Sequence, residues 1–192
     1  MENIQPNSTD TKLIHQKLIH HDNSIIQLIE QCLQHNRVAQ RQLYDKYKSA
    51  MFSVAYRILA DYDEANDALQ EAFIAAFTDL DSFRKDSSFG AWLKTIVIRK
   101  ALYKNKWKRK HESYETVLEQ ETPNWHDALT GEILDKAIRG LPDGYRAVFS
   151  LIEIEGFSHK ETAELLQISE GTSKSQLFRA KKLLQEELKE LK

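Results

Sequence analysis

The sequence predicts an all-α chain: two small helical domains joined by an acidic flexible linker, the second containing a helix-turn-helix. Three observations predict it. Three prolines and six glycines among 192 residues leave long windows of helix formers uninterrupted. Apolar residues recur at helical spacing through most of the chain. Near residues 111–131 that period stops, and acids, Pro123, Asn124 and Gly131 replace it. The expected division is a mobile tail over 1–22, a first domain over 23–110, a linker over 111–131 and a second domain over 132–192.

The elements follow in order. Asp22, Asn23 or Ser24 caps a first helix whose apolar residues are Ile25, Ile26, Leu28, Ile29, Cys32 and Leu33. A break near His35 and Asn36 precedes a longer helix carrying Val38, Leu43, Tyr44, Tyr47, Met51, Val54 and Ile58. Asp61 or Asp63 starts a third, with Ala65, Ala68, Leu69, Ala72, Phe73, Ala76, Phe77 and Leu80 inward and its acids gathered where the helix dipole favours them. After a polar loop, a fourth helix runs from about Phe89 to Lys110. Trp92, Leu93, Ile96, Val97, Ala101 and Leu102 are suited to pack, and Tyr103 and Trp107 are interleaved with cations. In the second domain, a helix from Glu132 carries Ile133, Leu134, Ala137 and Ile138. The next has Pro142 near its first turn and Gly156 as its stop.

The last two helices form the helix-turn-helix. Ser158 and Glu161 fit a capping box, Ala163 is small where two helices would cross, and Ser169 is placed to cap the second helix. That helix carries Lys174, Arg179, Lys181 and Lys182, a cationic element of the kind that enters a DNA major groove. Gln167 stands at the turn where glycine would adopt a left-handed conformation more easily, and Ser173 stands where an apolar residue would pack better.

Composition narrows the function. A formal net charge of −2 hides blocks of opposite sign. Ile58 to Phe83 is acidic without Lys or Arg, Lys94 to Lys110 is basic without an acid, and His111 to Asp135 is acidic again. Aromatic rings among cations suit single-stranded or distorted nucleic acid, where bases stack while phosphates meet ammonium groups. The single cysteine excludes an internal disulfide and fits a reducing compartment. No apolar run is long enough for a membrane span, so a cytoplasmic location without membrane insertion is expected. Three histidines in the tail (His15, His20, His21) are not read as a metal site. The sequence has no H-E-x-x-H, no P-loop, no cysteine-pair spacing and no paired Glu-x-x-His. No enzyme, metal or cofactor is expected.

Four segments then share a pattern: Asp67-Ala-Leu-Gln-Glu-Ala-Phe73, Phe83-Arg-Lys-Asp-Ser-Ser-Phe-Gly-Ala-Trp-Leu93, Leu141-Pro-Asp-Gly-Tyr-Arg-Ala-Val-Phe149 and Glu170-Gly-Thr-Ser-Lys-Ser-Gln-Leu-Phe-Arg-Ala180. Together, in order and over Ile25 to Leu188, they resemble bacterial RNA polymerase sigma factors of the extracytoplasmic-function group. The resemblance implies a transcription initiation factor that binds core RNA polymerase and directs promoter recognition and strand opening. It puts Asp67, Gln70, Glu71 and Phe73 at the polymerase clamp. It gives the minus-ten element to the loop Phe83, Arg84, Ser87, Ser88 and Phe89, with Trp92, Lys94, Arg99, Lys100, Lys104 and Lys106 behind. It gives the minus-thirty-five element to Thr172, Lys174, Ser175, Gln176, Arg179 and Lys182. Promoter DNA would thus be met as duplex and as melted strand, and an anti-sigma factor is a further partner the family admits. Gln176 stands where the family often has Arg, favouring adenine over guanine, and Arg99 replaces a common Asn. The alternative reading is a stand-alone helix-turn-helix repressor or activator. Such proteins usually dimerise on palindromic sites, and no heptad seam is present here.

Overall fold

A computed structural model describes residues 24–111 and 131–189, and among them there is no strand. The first domain consists of α1 (24–33), α2 (Arg37–Leu59), α3 (Tyr62–Thr78) and α4 (Phe89–His111). A short 3-10 turn, Leu80–Ser82, follows α3. The break after α1 lies where expected. His35 takes φ 60, and the Asn36 side chain accepts hydrogen bonds from Val38 N–H at 2.9 Å and Ala39 N–H at 3.2 Å. Of the two acids offered for the start of α3, Asp61 is the cap, accepting from Glu64 N–H at 3.0 Å.

The three long helices pack on one another. Leu43, Ile58, Ala72, Leu93, Val97, Ile98 and Ala101 form the centre of their core, with Ile25, Ile29 and Cys32 of α1 closing one side. Two apolar positions depart from expectation. Leu33 and Val38 are exposed, at 47 % and 68 %. They flank the left-handed residue His35 between α1 and α2. Ile98, not expected inward, is fully buried. Burial also pushes the Cys32 thiol up to about 11, since the charged thiolate has no water to solvate it.

The second domain consists of α5 (Gly131–Gly140), α6 (Asp143–Phe149), α7 (His159–Leu166) and α8 (Glu170–Lys189). Pro142 sits at the α6 N-cap. The end of α6 widens into one π turn, Ser150–Ile154, where Glu155 N–H reaches back five residues to the Ser150 carbonyl at 3.0 Å. Gly156, at φ 79, then ends the helix. Ala137, Ile138, Leu141, Ala180 and Leu184 make a small core between α5, α6 and α8.

The two domains pack together. Leu151 is part of the first domain's buried cluster, and Phe157, Leu165 and Leu166 lie against it. Arg146, only 6 % exposed, crosses the boundary. Its Nε donates to the Ile58 carbonyl at 3.1 Å and Nη2 to the Leu59 carbonyl at 3.3 Å. These are last-turn carbonyls of α2 that have no partner within the helix. The same guanidinium donates to the carbonyls of Leu141 (2.7 Å) and Arg139 (3.2 Å) and to Asp143 Oδ1 (2.6 Å). Arg139 lies over the Tyr56 ring, 4.9 Å from its centroid, and donates to its hydroxyl at 2.8 Å.

Candidate nucleic-acid interface

On α3, Asp67, Gln70 and Ile74 are exposed and Glu71 half-buried, at the i, i+3, i+4, i+7 spacing that makes one helix face. Ile74 is 67 % exposed and was not expected there. Phe73 is not on that face. It is 3 % exposed, with its ring 4.8 Å from Tyr44 and 5.9 Å from Phe77, and supports the face from beneath.

The basic side of α4 meets the acids of α3. Lys104 Nζ lies 3.1 Å from Glu71, 3.7 Å from Glu64 and 3.7 Å from Asp67, and Lys100 lies 3.7 Å from Glu71. Desolvation works against the charged form of Lys104. The Glu71 hydrogen bond and the attraction of the three carboxylates outweigh it, so its pKa is raised. The basic block therefore does have compensating acids, supplied across the helix pair instead of along the chain. The candidate polymerase-facing acids and two of the candidate DNA-facing lysines form one charge cluster. Arg99 is exposed, and the side chain of Lys106 lies outside the described residues.

Before α4, Arg84, Ser87 and Ser88 are exposed in a loop that takes a left-handed step at Lys85, φ 62. Ser88 caps α4, its Oγ accepting from Ala91 N–H at 3.2 Å. Below the loop three rings form a triangle: Phe83–Phe89 at 5.7 Å, Phe83–Trp92 at 5.3 Å and Phe89–Trp92 at 5.6 Å. Tyr47 adds a fourth ring, 5.3 Å from Phe89. A Cβ at Gly90 would stand 3.0 Å from the Tyr47 ring, so glycine is what lets α4 start this close to α2. Phe89 is buried and anchors the loop from inside, while Phe83 and Trp92 stay partly exposed.

In the helix-turn-helix, the capping box is complete. Glu161 N–H donates to Ser158 Oγ at 3.2 Å, and Ser158 N–H donates to Glu161 Oε2 at 2.8 Å. The Ser158 hydroxyl, then its backbone N–H, hold the Glu161 carboxyl below its ordinary range. Gln167 does take the left-handed conformation, φ 56 and ψ 45, in the absence of glycine. Ser173 is buried and has a polar partner: its Oγ is 3.0 Å from His159 Nδ1, joining α7 to α8. Ser169 caps α8, accepting from Thr172 N–H at 3.0 Å and lying 2.8 Å from the Thr172 hydroxyl.

Lys174, Ser175, Arg179 and Lys182 are exposed on α8, and Thr172 is partly buried in the cap. Gln176 turns instead toward α6, where its amide nitrogen would lie 3.4 Å from a Cβ at Gly144. Phe178 shares the outer stripe with Lys174, Ser175 and Lys182 and is 71 % exposed. Sequence reasoning gave it no role. Counting four residues from Lys174 within a basic face would have found it.

Comparison with known proteins agrees with this architecture. Residues 43–111 match the family described as Sigma-70 region 2, and residues 131–184 match Sigma-70, region 4. The RNA polymerase sigma-H factor of Pseudomonas aeruginosa is 32 % identical over 183 residues, covering 86 % of this chain and 94 % of that protein. The ECF RNA polymerase sigma factor SigW of Bacillus subtilis is 30 % identical over 182 residues, covering 85 % and 96 %. The sigma factor RpoE of Bartonella quintana, solved in complex with the anti-sigma factor NepR, superposes with a TM-score of 0.54 at 30 % identity, covering 78 % of this chain and 96 % of that one.

Two sigma-70 regions in one helical chain define an RNA polymerase sigma factor, a protein that directs promoter recognition. Within that class, the chain belongs to the extracytoplasmic-function group. The stand-alone repressor or activator reading gives way, because such a protein has no use for region 2. Among the described residues no helix is long and apolar enough to cross a membrane.

Proposed function

We propose that the three surfaces divide the work of initiation. The α3 face of Asp67, Gln70, Glu71 and Ile74 docks on core polymerase, with Phe73 stiffening it from below. The loop of Arg84, Ser87 and Ser88, set on Phe83, Phe89 and Trp92, takes the minus-ten element, with Arg99 and the other cations of α4 along the opening strand. Splaying a base from the stack costs a few kcal/mol, which contacts in such a loop must offset. On α8, Lys174, Ser175, Phe178, Arg179 and Lys182 meet the minus-thirty-five element, and Thr172 holds the start of the helix. Gln176 then acts through α6 and not on a base edge.

The observation that carries this reading is the stripe of α8. It is cationic, contains an unburied aromatic ring and is stabilised at its start by a complete cap. The working domains are 23–110 and 132–192. The protein performs no covalent step itself, acts in the cytoplasm, and is a candidate for restraint by an anti-sigma factor. The test is to mix the chain with bacterial core polymerase and genomic DNA fragments and map new transcript starts. Discrete starts preceded by two spaced motifs are expected. Loss of the upstream motif, but not of polymerase binding, is expected for Lys174→Ala with Arg179→Ala. If those starts are unchanged, α8 is not the upstream reader.

A further inference from the structure

Glu155, just after the π turn of the second domain, places its carboxylate between two cations of the first. Its Oε1 lies 3.6 Å from Arg57 Nη1 on α2, and its Oε2 lies 2.8 Å from Lys94 Nζ on α4. The Glu155 side chain is 6 % exposed, whereas Arg57 and Lys94 are 30 % and 34 % exposed. Arg57 also lies 3.7 Å from Asp135, whose carboxylate is more open to water. One buried anion thus presents a separate oxygen to each of two cations from different helices. Two non-bridging oxygens of a nucleic-acid phosphate offer the same arrangement.

The closed packing cannot persist when both promoter elements are engaged. Elements centred at minus ten and minus thirty-five are about 85 Å apart along a duplex rising 3.4 Å per base pair. A compact chain of 192 residues has a radius of gyration of only about 16 Å. The domains must part, and Glu155 leaves with the second. Arg57 and Lys94 then stand uncovered on the domain that holds α4, with their charges already brought together.

We propose that Arg57 and Lys94 form a phosphate-binding pair for the promoter backbone, which Glu155 occupies as a stand-in while the two domains are packed. This rests on the assignment of α4 to promoter DNA and adds Arg57, a residue of α2, to that surface. Closure thereby does more than separate the DNA-binding faces: it places an acid on a site DNA needs.

The experiment uses full-length chain and holoenzyme. Replacing Arg57, Lys94 and Glu155 together by Gln removes the pair and its occupant without stranding a buried charge. In holoenzyme the slope of log affinity for promoter DNA against log salt should become shallower by about 0.7 to 0.9, one phosphate's worth for single-stranded or duplex DNA respectively. An unchanged slope overturns the proposal. So does loss of core-polymerase affinity with the slope intact, which would assign the pair to a polymerase carboxylate. In the free chain, Glu155→Gln should bind a single-stranded minus-ten oligonucleotide several-fold more tightly, while Glu164→Gln, the same charge change on an exposed residue of α7, should not. Equal gains in both variants would reduce the effect to net charge and overturn the occlusion. Should cations elsewhere on α4, such as Arg99, also prove silent in the salt slope, the assignment of α4 itself fails. If Arg99→Gln lowers the slope and the pair does not, only the present proposal fails.

Discussion

Arg146→Met tests the packing of the two domains most directly. Methionine keeps much of the apolar stem and removes every donor, leaving five acceptors behind: the carbonyls of Ile58, Leu59, Arg139 and Leu141, and Asp143 Oδ1. Two of these bonds, to Ile58 and Leu141, are buried, and the other three are only partly so. An acceptor left unsatisfied in a buried place costs about 1–3 kcal/mol, while the partly exposed ones can take water. The expected total is about 2–6 kcal/mol, set by the two buried carbonyls, because Asp143 is open enough to water to stay solvated. It divides between two processes. The Leu141 bond lies within the second domain and its loss lowers that domain's own stability. The Ile58 bond crosses between domains, and a loss of about 1–3 kcal/mol there shifts the closed–open balance by roughly 5- to 150-fold. Urea unfolding of the full chain reads the sum, and small-angle scattering reads the second part as a larger radius of gyration. Arg146→Lys, with three donors in place of five, should fall between. A stability change below about 1 kcal/mol with unchanged scattering would show that Arg146 does not hold the domains together.

Phe178→Ala should leave stability unaltered, because the ring is exposed, yet cost about 1–3 kcal/mol at one base pair of the upstream element in competition binding; equal losses on every promoter variant would mean a positioning role. The Cys32 thiol should react with iodoacetamide at pH 8 only as fast as the first domain opens. Its folded pKa is raised from 9.0 to about 11. The unfolded chain therefore releases the proton first, and stability should fall as pH rises across that interval; fast labelling of the native chain would contradict this. Glu161 has the opposite sign. Its carboxyl is depressed by Ser158, so the cap of α7 contributes fully above the ordinary glutamate range and is lost as pH falls through the lower folded value. Thermal melts should show that acid-side loss in the parent and less of it in Ser158→Ala; an identical profile in both would remove the cap from the account.

Local features were legible in the sequence because their causes are local. The capping box at Ser158, the break at Asn36 and the core faces of α3 and α4 each follow from a few neighbouring residues. Ser173 was not legible as an asset, since its partner His159 sits on another helix and a serine facing inward reads as a packing fault. The charge of α4 was read along the chain, where it has no acid, yet Lys100 and Lys104 meet the acids of α3 only after the helices pair. Phe73 was placed on the polymerase face by its motif, while its 3.6-residue phase turns it into the core. Arg146 and Glu155 carry no periodic signal at all, because what they do depends on residues far away in the chain.

The π turn at Ser150–Ile154 lies between these last two residues. Arg146 comes before it and contacts the end of α2, whereas Glu155 follows it and reaches Arg57 and Lys94. A wide turn holds one residue more than the helix it interrupts. Deleting that residue would turn one i→i+5 turn into an ordinary i→i+4 turn and leave everything after it in nearly the same phase. Glu155 would still face its two cations while Arg146 kept its carbonyls. The wide turn therefore lets the chain carry one residue more between the two ties that join the domains, without changing the face that either one presents.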